Sequence, residues 1–171
     1  MERAREFLYS LPRYLLSSVA SVLTVAQVIL AFFFFGGSTE AVKLAGWICL
    51  WVSAIFGILP IIIFRRIGGV PRGKNYTQTT KFIDTGLYAV VRHPQVATTW
   101  LLISLGIILI TGHWTSAALG IPSMVLAYLD TYKLDHNLIE KFGNDYRRYI
   151  KEVPRVNVIL GIIRLVYRWL K

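Results

Sequence analysis

Arg92, His93 and Pro94 stand together where a polar segment gives way to an apolar one, at the end of Thr85-Gly86-Leu87-Tyr88-Ala89-Val90-Val91-Arg92-His93-Pro94. A proline suits the first turn of a helix, because the N–H it lacks is one the helix leaves unbonded there. The free N–H groups beyond it, with the partial positive charge of a helix start, favour an anion, and Arg92 and His93 would add two further donors. A second reading fits the same residues: Arg92 as a positive anchor at a membrane surface and His93 as a polar cap. The other histidines do not complete a metal-ligand pattern: His113 is expected to cap an outer turn and His136 to sit solvated on a helix. Cys49, the one cysteine, excludes an internal disulfide and a cysteine metal cluster and reads as a small apolar filler. No repeat, zinc spacing, Walker-type loop or low-complexity tract is present.

The elements that must carry these residues follow from composition. The chain has 171 residues, 55% of them hydrophobic and 16% charged, with a mean hydropathy of +0.54, well beyond an ordinary soluble domain. Its 19 Lys and Arg against 9 Asp and Glu give a net charge of +10. A basic chain of this kind is a nucleic-acid binder, a membrane-surface peptide or an integral membrane protein. The apolar runs select the last, and no nucleic-acid partner is expected. Tyr14 to Phe35 and Leu44 to Phe64 carry no formal charge, and each approaches the roughly 20 residues a helix needs to cross a hydrocarbon core. Pro94 to Thr111 and Trp114 to Tyr132 are shorter and joined by Gly112-His113, which predicts a tight helical hairpin. The expected fold is thus all-α, with four transmembrane helices and cytoplasmic amphipathic helices after them.

Charge placement gives the orientation. Arg3, Arg5 and Arg13 precede the first run, Arg65, Arg66, Arg72, Lys74, Lys81 and Arg92 lie between the second and third, and nine basic residues follow the fourth. Only Lys43 falls on the other side, which predicts both termini in the cytoplasm. Tyr14 to Phe35 is too long for the apolar core of a cleaved signal peptide and reads as a retained span.

Residues 14–64 read as a scaffold hairpin. Ser17, Ala20, Ser21, Thr24, Gln27 and Ala31 form a small, weakly polar stripe suited to helix packing, and Gly46, Ser53 and Gly57 do the same on the second helix, which Pro60 should bend. Phe32 to Phe35, Trp47 and Trp51 are expected near the outer leaflet. The connection from Arg65 to Arg92 is long for so small a protein, and long loops are often functional. Leu134, Leu138, Phe142, Tyr146, Tyr149 and Val153 trace an amphipathic helix, with a possible break at Gly143 and a stop at Pro154. Residues 156–171 are apolar but short and interrupted by Arg164 and Arg168, as in an interfacial helix.

Gly86-Leu87-Tyr88 followed by Arg92-His93-Pro94 resembles the G-[LP]-Y-x-x-x-R-H-P motif of the isoprenylcysteine carboxyl methyltransferase and phospholipid N-methyltransferase superfamily. Leu138, Phe142-Gly143, Tyr146, Tyr149 and Val153-Pro154-Arg155 are similar to that superfamily's second motif, in the same order. The resemblance covers about half of the chain, from Phe64 to Arg155, and implies that residues 65–155 form the cofactor site of a membrane methyltransferase using S-adenosylmethionine, with a lipophilic or amphiphilic acceptor arriving from the surrounding membrane lipids. It implies cofactor contacts at Leu87, Tyr88, Arg92, His93, Pro94, Asp135, Tyr146 and Tyr149, with catalytic roles for Asp135 and Arg155. The cofactor's carboxylate suits Arg92, His93 and a helix start, and its sulfonium suits a carboxylate or an aromatic face.

The chain also departs from the pattern. Gln95, Val96, Ala97 and Thr98 follow Pro94, where the superfamily has a tyrosine two residues and a glycine four residues after the proline. Leu134 and Asp135 stand where it has two acids, so Asp135 serves alone or Asp130 substitutes for the missing carboxylate; a solvent-facing Asp135 on the amphipathic helix is the equal alternative. Arg147 and Arg148 read as contacts to lipid phosphate or to the cofactor. Two rival functions follow: an NADPH-dependent membrane reductase of sterol-reductase type, whose members typically have more spans and R-H-P-N-Y, and a non-catalytic lipid- or partner-binding protein that keeps the fold.

Overall fold

A computed structural model describes residues 2–12, 14–75, 78–95 and 99–170; Arg13 and the altered motif positions Val96, Ala97 and Thr98 lie outside them. Among the described residues the chain is all-helical: α1 (Glu2–Ser10), α2 (Leu15–Phe33), α3 (Glu40–Ile67), α4 (Thr99–Thr111), α5 (Trp114–Glu152) and α6 (Val158–Trp169), with a 3₁₀ turn at Gly86–Ala89. α2 and α3, of 19 and 28 residues, are long and apolar enough to cross a membrane. Only 22% and 17% of their apolar stretches are buried, so most of their Val, Ile, Leu and Phe side chains face outwards.

The small-residue stripe of α2 packs on α5. Thr24 Oγ1 lies 2.7 Å from Ser123 Oγ, and Ser123 Oγ donates to the Ala20 carbonyl at 2.9 Å. Gln27, fully buried, donates from Nε2 to the Ser104 and Ser116 carbonyls at 3.0 and 3.1 Å. These bonds pair groups that apolar surroundings would otherwise leave unsatisfied. α3 packs on α4 through two glycines: a Cβ on Gly46 would stand 2.8 Å from the Gly106 carbonyl oxygen, and one on Gly106 would stand 2.9 Å from that of Gly46. Only hydrogens at both positions permit so close a crossing.

α4 and α5 form the expected tight hairpin. Gly112 takes a φ of +59°, and His113 caps α5, its Nδ1 accepting from the Thr115 N–H at 3.4 Å. At the other end, Pro94 and Gln95 open a π-helical turn and α4 is described only from Thr99, whose Oγ1 donates back to the Pro94 carbonyl at 3.3 Å.

The fourth apolar run and the amphipathic segment after it are one helix. α5 runs for 39 residues, because nothing between Tyr132 and Phe142 breaks helical geometry, and turns only at Gly143 (φ 58°, ψ −128°), a conformation that glycine alone takes at little cost. It ends at Val153, held extended by the proline that follows. α1 leans on α5 through a Tyr9–His136 ring stack at 4.5 Å, and Lys133 Nζ donates to the Leu11 and Pro12 carbonyls. α6 spans 12 residues, about 18 Å. Its Gly161 abuts the Val90 carbonyl and its outer residues Ile159, Ile163 and Trp169 are exposed.

Candidate functional site

The site forms where two segments meet at the end of the bundle that holds Arg65, Arg66 and the start of α4. The Arg92 N–H donates to the Pro154 carbonyl at 3.0 Å, and the His93 N–H to the Arg155 carbonyl at 3.1 Å. Two segments about sixty residues apart are thereby laid side by side. The N–H groups beyond Pro94, where a helix-start anion site is expected, fall at 96–98, outside the described residues.

The side chains converge on Asp135. Its Oδ1 accepts from Tyr146 Oη and from His93 Nε2, each at 2.7 Å. Its Oδ2 accepts from Arg92 Nη1 at 3.2 Å and from Arg155 Nε and Nη2 at 3.0 and 2.7 Å. Asp135 is 5% exposed, with Arg92 and His93 at 8% and 6%. Burial alone would raise the Asp135 pKa; the hydrogen bond from His93, with the Tyr146 bond and the Arg92 charge, outweighs it and holds the carboxyl below its usual range. Burial lowers the His93 pKa, against the pull of Asp135 and with Arg92 and Arg155 adding to the fall. The stable arrangement is an ionised Asp135 facing a neutral His93 that donates from Nε2. The Arg155 guanidinium lies 3.7 Å over the Tyr132 ring, which fixes its angle of approach.

An aromatic layer covers this node. Tyr149 Oη donates to the Tyr88 carbonyl at 2.6 Å, and Tyr88 stacks on Phe64 at 5.1 Å. Phe82 meets Tyr149 and Tyr146 edge-on at 5.2 and 6.0 Å. Burial raises the pKa of both tyrosines, so their hydroxyls stay protonated as donors. Leu87 contributes its carbonyl, which accepts from Val90 and Val91 within the 3₁₀ turn, and Pro94 is buried behind the node.

Beside this layer opens a cavity of about 320 Å³, lined by Phe82, Asp84, Asp145, Tyr149, Glu152 and Arg168 among others. Arg168 spans its edge, donating to the Ala89 carbonyl at 2.8 Å and to Glu152 at 3.1 Å. Two buried donors nearby have no partner among the described residues: Nε of Arg92 and Nε of Arg168.

The structure therefore brings Arg92, His93, Asp135, Tyr146 and Arg155 into one hydrogen-bonded node, with Tyr88 and Tyr149 bonded to each other above it. Asp130 is buried but lies about one and a half turns up α5 and contributes no hydrogen bond to the node. Leu134 is half-buried, and Arg147 and Arg148 are exposed, Arg148 pairing with Asp145 at 2.7 Å. Phe82, Asp84, Arg168 and Tyr132 were not singled out by sequence. An aromatic residue inside the polar 65–92 connection is the one signal that pointed to Phe82. Among the described residues no group of His, Cys, Asp and Glu could hold a metal ion. Comparison with protein-family models, curated proteins and solved structures finds no match to this chain.

Proposed function

We propose that the chain is a membrane methyltransferase that uses S-adenosylmethionine and acts on a lipophilic or amphiphilic acceptor. The observation that carries this reading is the Asp135 node, because it joins Arg92 and His93 of the first motif to Tyr146 and Arg155 of the second. A membrane setting is supported by α2 and α3, whose apolar side chains face outwards where a soluble core helix would hide them. We read α2, α3, α4 with its preceding turn, and α5 from Trp114 to Tyr132 as four spans, with the node at the cytoplasmic face where the basic residues collect.

The donor set fits the cofactor. The unpartnered Nε groups of Arg92 and Arg168 suit a carboxylate, Asp84 and Glu152 suit hydroxyl groups, and the Phe82 and Tyr149 rings suit a flat base or a cation. When bound, S-adenosylmethionine supplies an activated methyl carbon. What remains for the protein is positioning and exclusion of water. Asp135 does this indirectly: with both oxygens engaged, it fixes Arg92, His93, Tyr146 and Arg155, and a sulfonium would rest against the aromatic rings instead.

Calorimetric titration of the detergent-purified protein with S-adenosylmethionine, S-adenosylhomocysteine and NADPH tests this. Saturable binding of both adenosyl ligands, weakened by about 0.5 to 3 kcal/mol in His93→Ala, is expected. Binding of NADPH alone would make the chain a reductase, and binding of none would leave a non-catalytic membrane protein.

A further inference from the structure

The end of the bundle remote from Asp135 holds a second cavity. α2 packs on α5 and α4, and α3 packs on α4, while α2 and α3 scarcely touch each other. Between them lies a cleft of about 400 Å³. Val28 and Phe32 form one wall and Trp47 and Leu50 the other, while Ile107 and Ile110 of α4, 6% and 4% exposed, form the floor. Every residue that lines it is apolar or aromatic, so water entering it would find almost no hydrogen-bond partner. Phe32 and Phe35, which line it, and Trp51, one turn from Trp47, are exposed.

One charge marks the mouth. Lys43, one helical turn from Trp47, leans over the α2–α3 loop, its Nζ 3.6 Å from where a Cβ on Gly36 would stand. Its ion-pair partner Glu40, at 2.8 Å, is 91% exposed while Lys43 is 21% exposed, so water competes for the carboxylate side of the pair. An apolar cleft with a cation at its rim matches the two ends of one molecule.

We infer that this cleft seats a phospholipid, one acyl chain lying between α2 and α3 and the phosphate meeting Lys43 in place of Glu40. The inference rests on the membrane-spanning reading but not on methyl transfer. It places a lipid site at the opposite face from the Asp135 node.

Native mass spectrometry of the detergent-purified protein, titrated with phosphatidylglycerol and with phosphatidylcholine, reads this directly. The wild type is expected to carry one lipid and to favour phosphatidylglycerol. Ala31→Phe, which fills the cleft from its α2 wall, should abolish binding of both lipids. Lys43→Gln should weaken phosphatidylglycerol about fivefold, the effect of one basic residue near a membrane surface, and weaken phosphatidylcholine less, because its choline already offsets the phosphate charge. Wild-type occupancy in both variants would overturn the proposal, as would a dimer, carrying no lipid, that Ala31→Phe dissociates. Should Ala31→Phe fail to fold, the lipid preference of Lys43→Gln decides alone. Release of the chain from membranes by alkaline carbonate would remove the spans and the seat together, whereas a chain that stays in the membrane yet carries no lipid would remove only the seat.

Discussion

His93 Nε2 and Asp135 Oδ1 lie 2.7 Å apart, across 42 residues of sequence. Because Asp135 also accepts from two guanidinium groups and a phenol, its charge is neutralised from several sides and the imidazole needs no charge of its own. The carboxylate thereby fixes the ring's tautomer, with Nε2 as the donor and Nδ1 left as the acceptor. Arg92 and Arg155 depend on the same carboxylate, so one residue sets the angle of four.

Asp135→Asn should therefore cost more stability than a change at any single partner. The amide keeps the shape but removes the charge that offsets two buried or half-buried guanidinium groups. Breaking a buried ion pair from one side costs about 3 to 5 kcal/mol. Thermal unfolding in detergent, followed by tryptophan fluorescence, should show a larger fall in Tm for Asp135→Asn than for Arg155→Lys; equal falls would mean that Asp135 is no more central to the node than one of its partners.

Acid should destabilise the protein in two stages. The His93 pKa is lowered below its ordinary 6.5 on folding, so the unfolded chain takes up the proton first and stability falls as pH drops below about 6.5. Asp135 has a depressed pKa, so its contribution is complete above the ordinary carboxylate range, near pH 3.9, and is lost below it. A pH series of Tm values should decline between pH 7 and 5 in the wild type and flatten over that interval in His93→Gln. An unchanged slope in the variant would assign the decline to another group.

The two glycine contacts of α3 should respond in opposite directions. Gly46→Ala would drive a methyl group against Ile110 and the Gly106 carbonyl, an overpacking that costs about 1 to 3 kcal/mol. Gly57→Ala meets only Thr99, at 3.6 and 3.7 Å, which is ordinary contact, and gains helix propensity of up to about 1 kcal/mol. Measured by the same unfolding assay, a loss at Gly57 equal to that at Gly46 would contradict the close crossing of α3 and α4.

Features dictated by local geometry were legible in the sequence. The α2 stripe that packs on α5, the His113 cap, the Gly112-His113 hairpin, the break at Gly143 and the stop before Pro154 all follow from helical period or from backbone limits on glycine and proline. The node was legible as a set of residues, through the two motifs, but not as an arrangement. Nothing periodic announces that the Arg92 and His93 N–H groups meet the carbonyls of Pro154 and Arg155, or that Arg168 reaches back to Ala89. Such contacts join segments about sixty to eighty residues apart, and only the packing of α4, α5 and α6 brings them within reach. The unbroken run of α5 through Lys133 was hidden for a different reason: a change from apolar to amphipathic composition looks like a boundary even when the backbone continues.

The two buried tyrosines separate the node from its aromatic cover. Tyr146→Phe removes a hydrogen bond to an ionised carboxylate, worth about 1.5 to 3 kcal/mol, whereas Tyr149→Phe removes one to the neutral Tyr88 carbonyl, worth about 0.5 to 1.5 kcal/mol. The larger loss of stability is thus expected at Tyr146. For ligand binding the order should reverse, because Tyr149 lines the cavity beside the node and its hydroxyl ties down the Tyr88 turn. Without that bond the 3₁₀ turn is free to shift, and the affinity for S-adenosylhomocysteine should fall further in Tyr149→Phe than in Tyr146→Phe. Parallel unfolding and calorimetric measurements on the two variants test both orders. If Tyr146→Phe is worse in both, the ligand sits against the node itself and not in the cavity lined by Phe82, Tyr149 and Arg168.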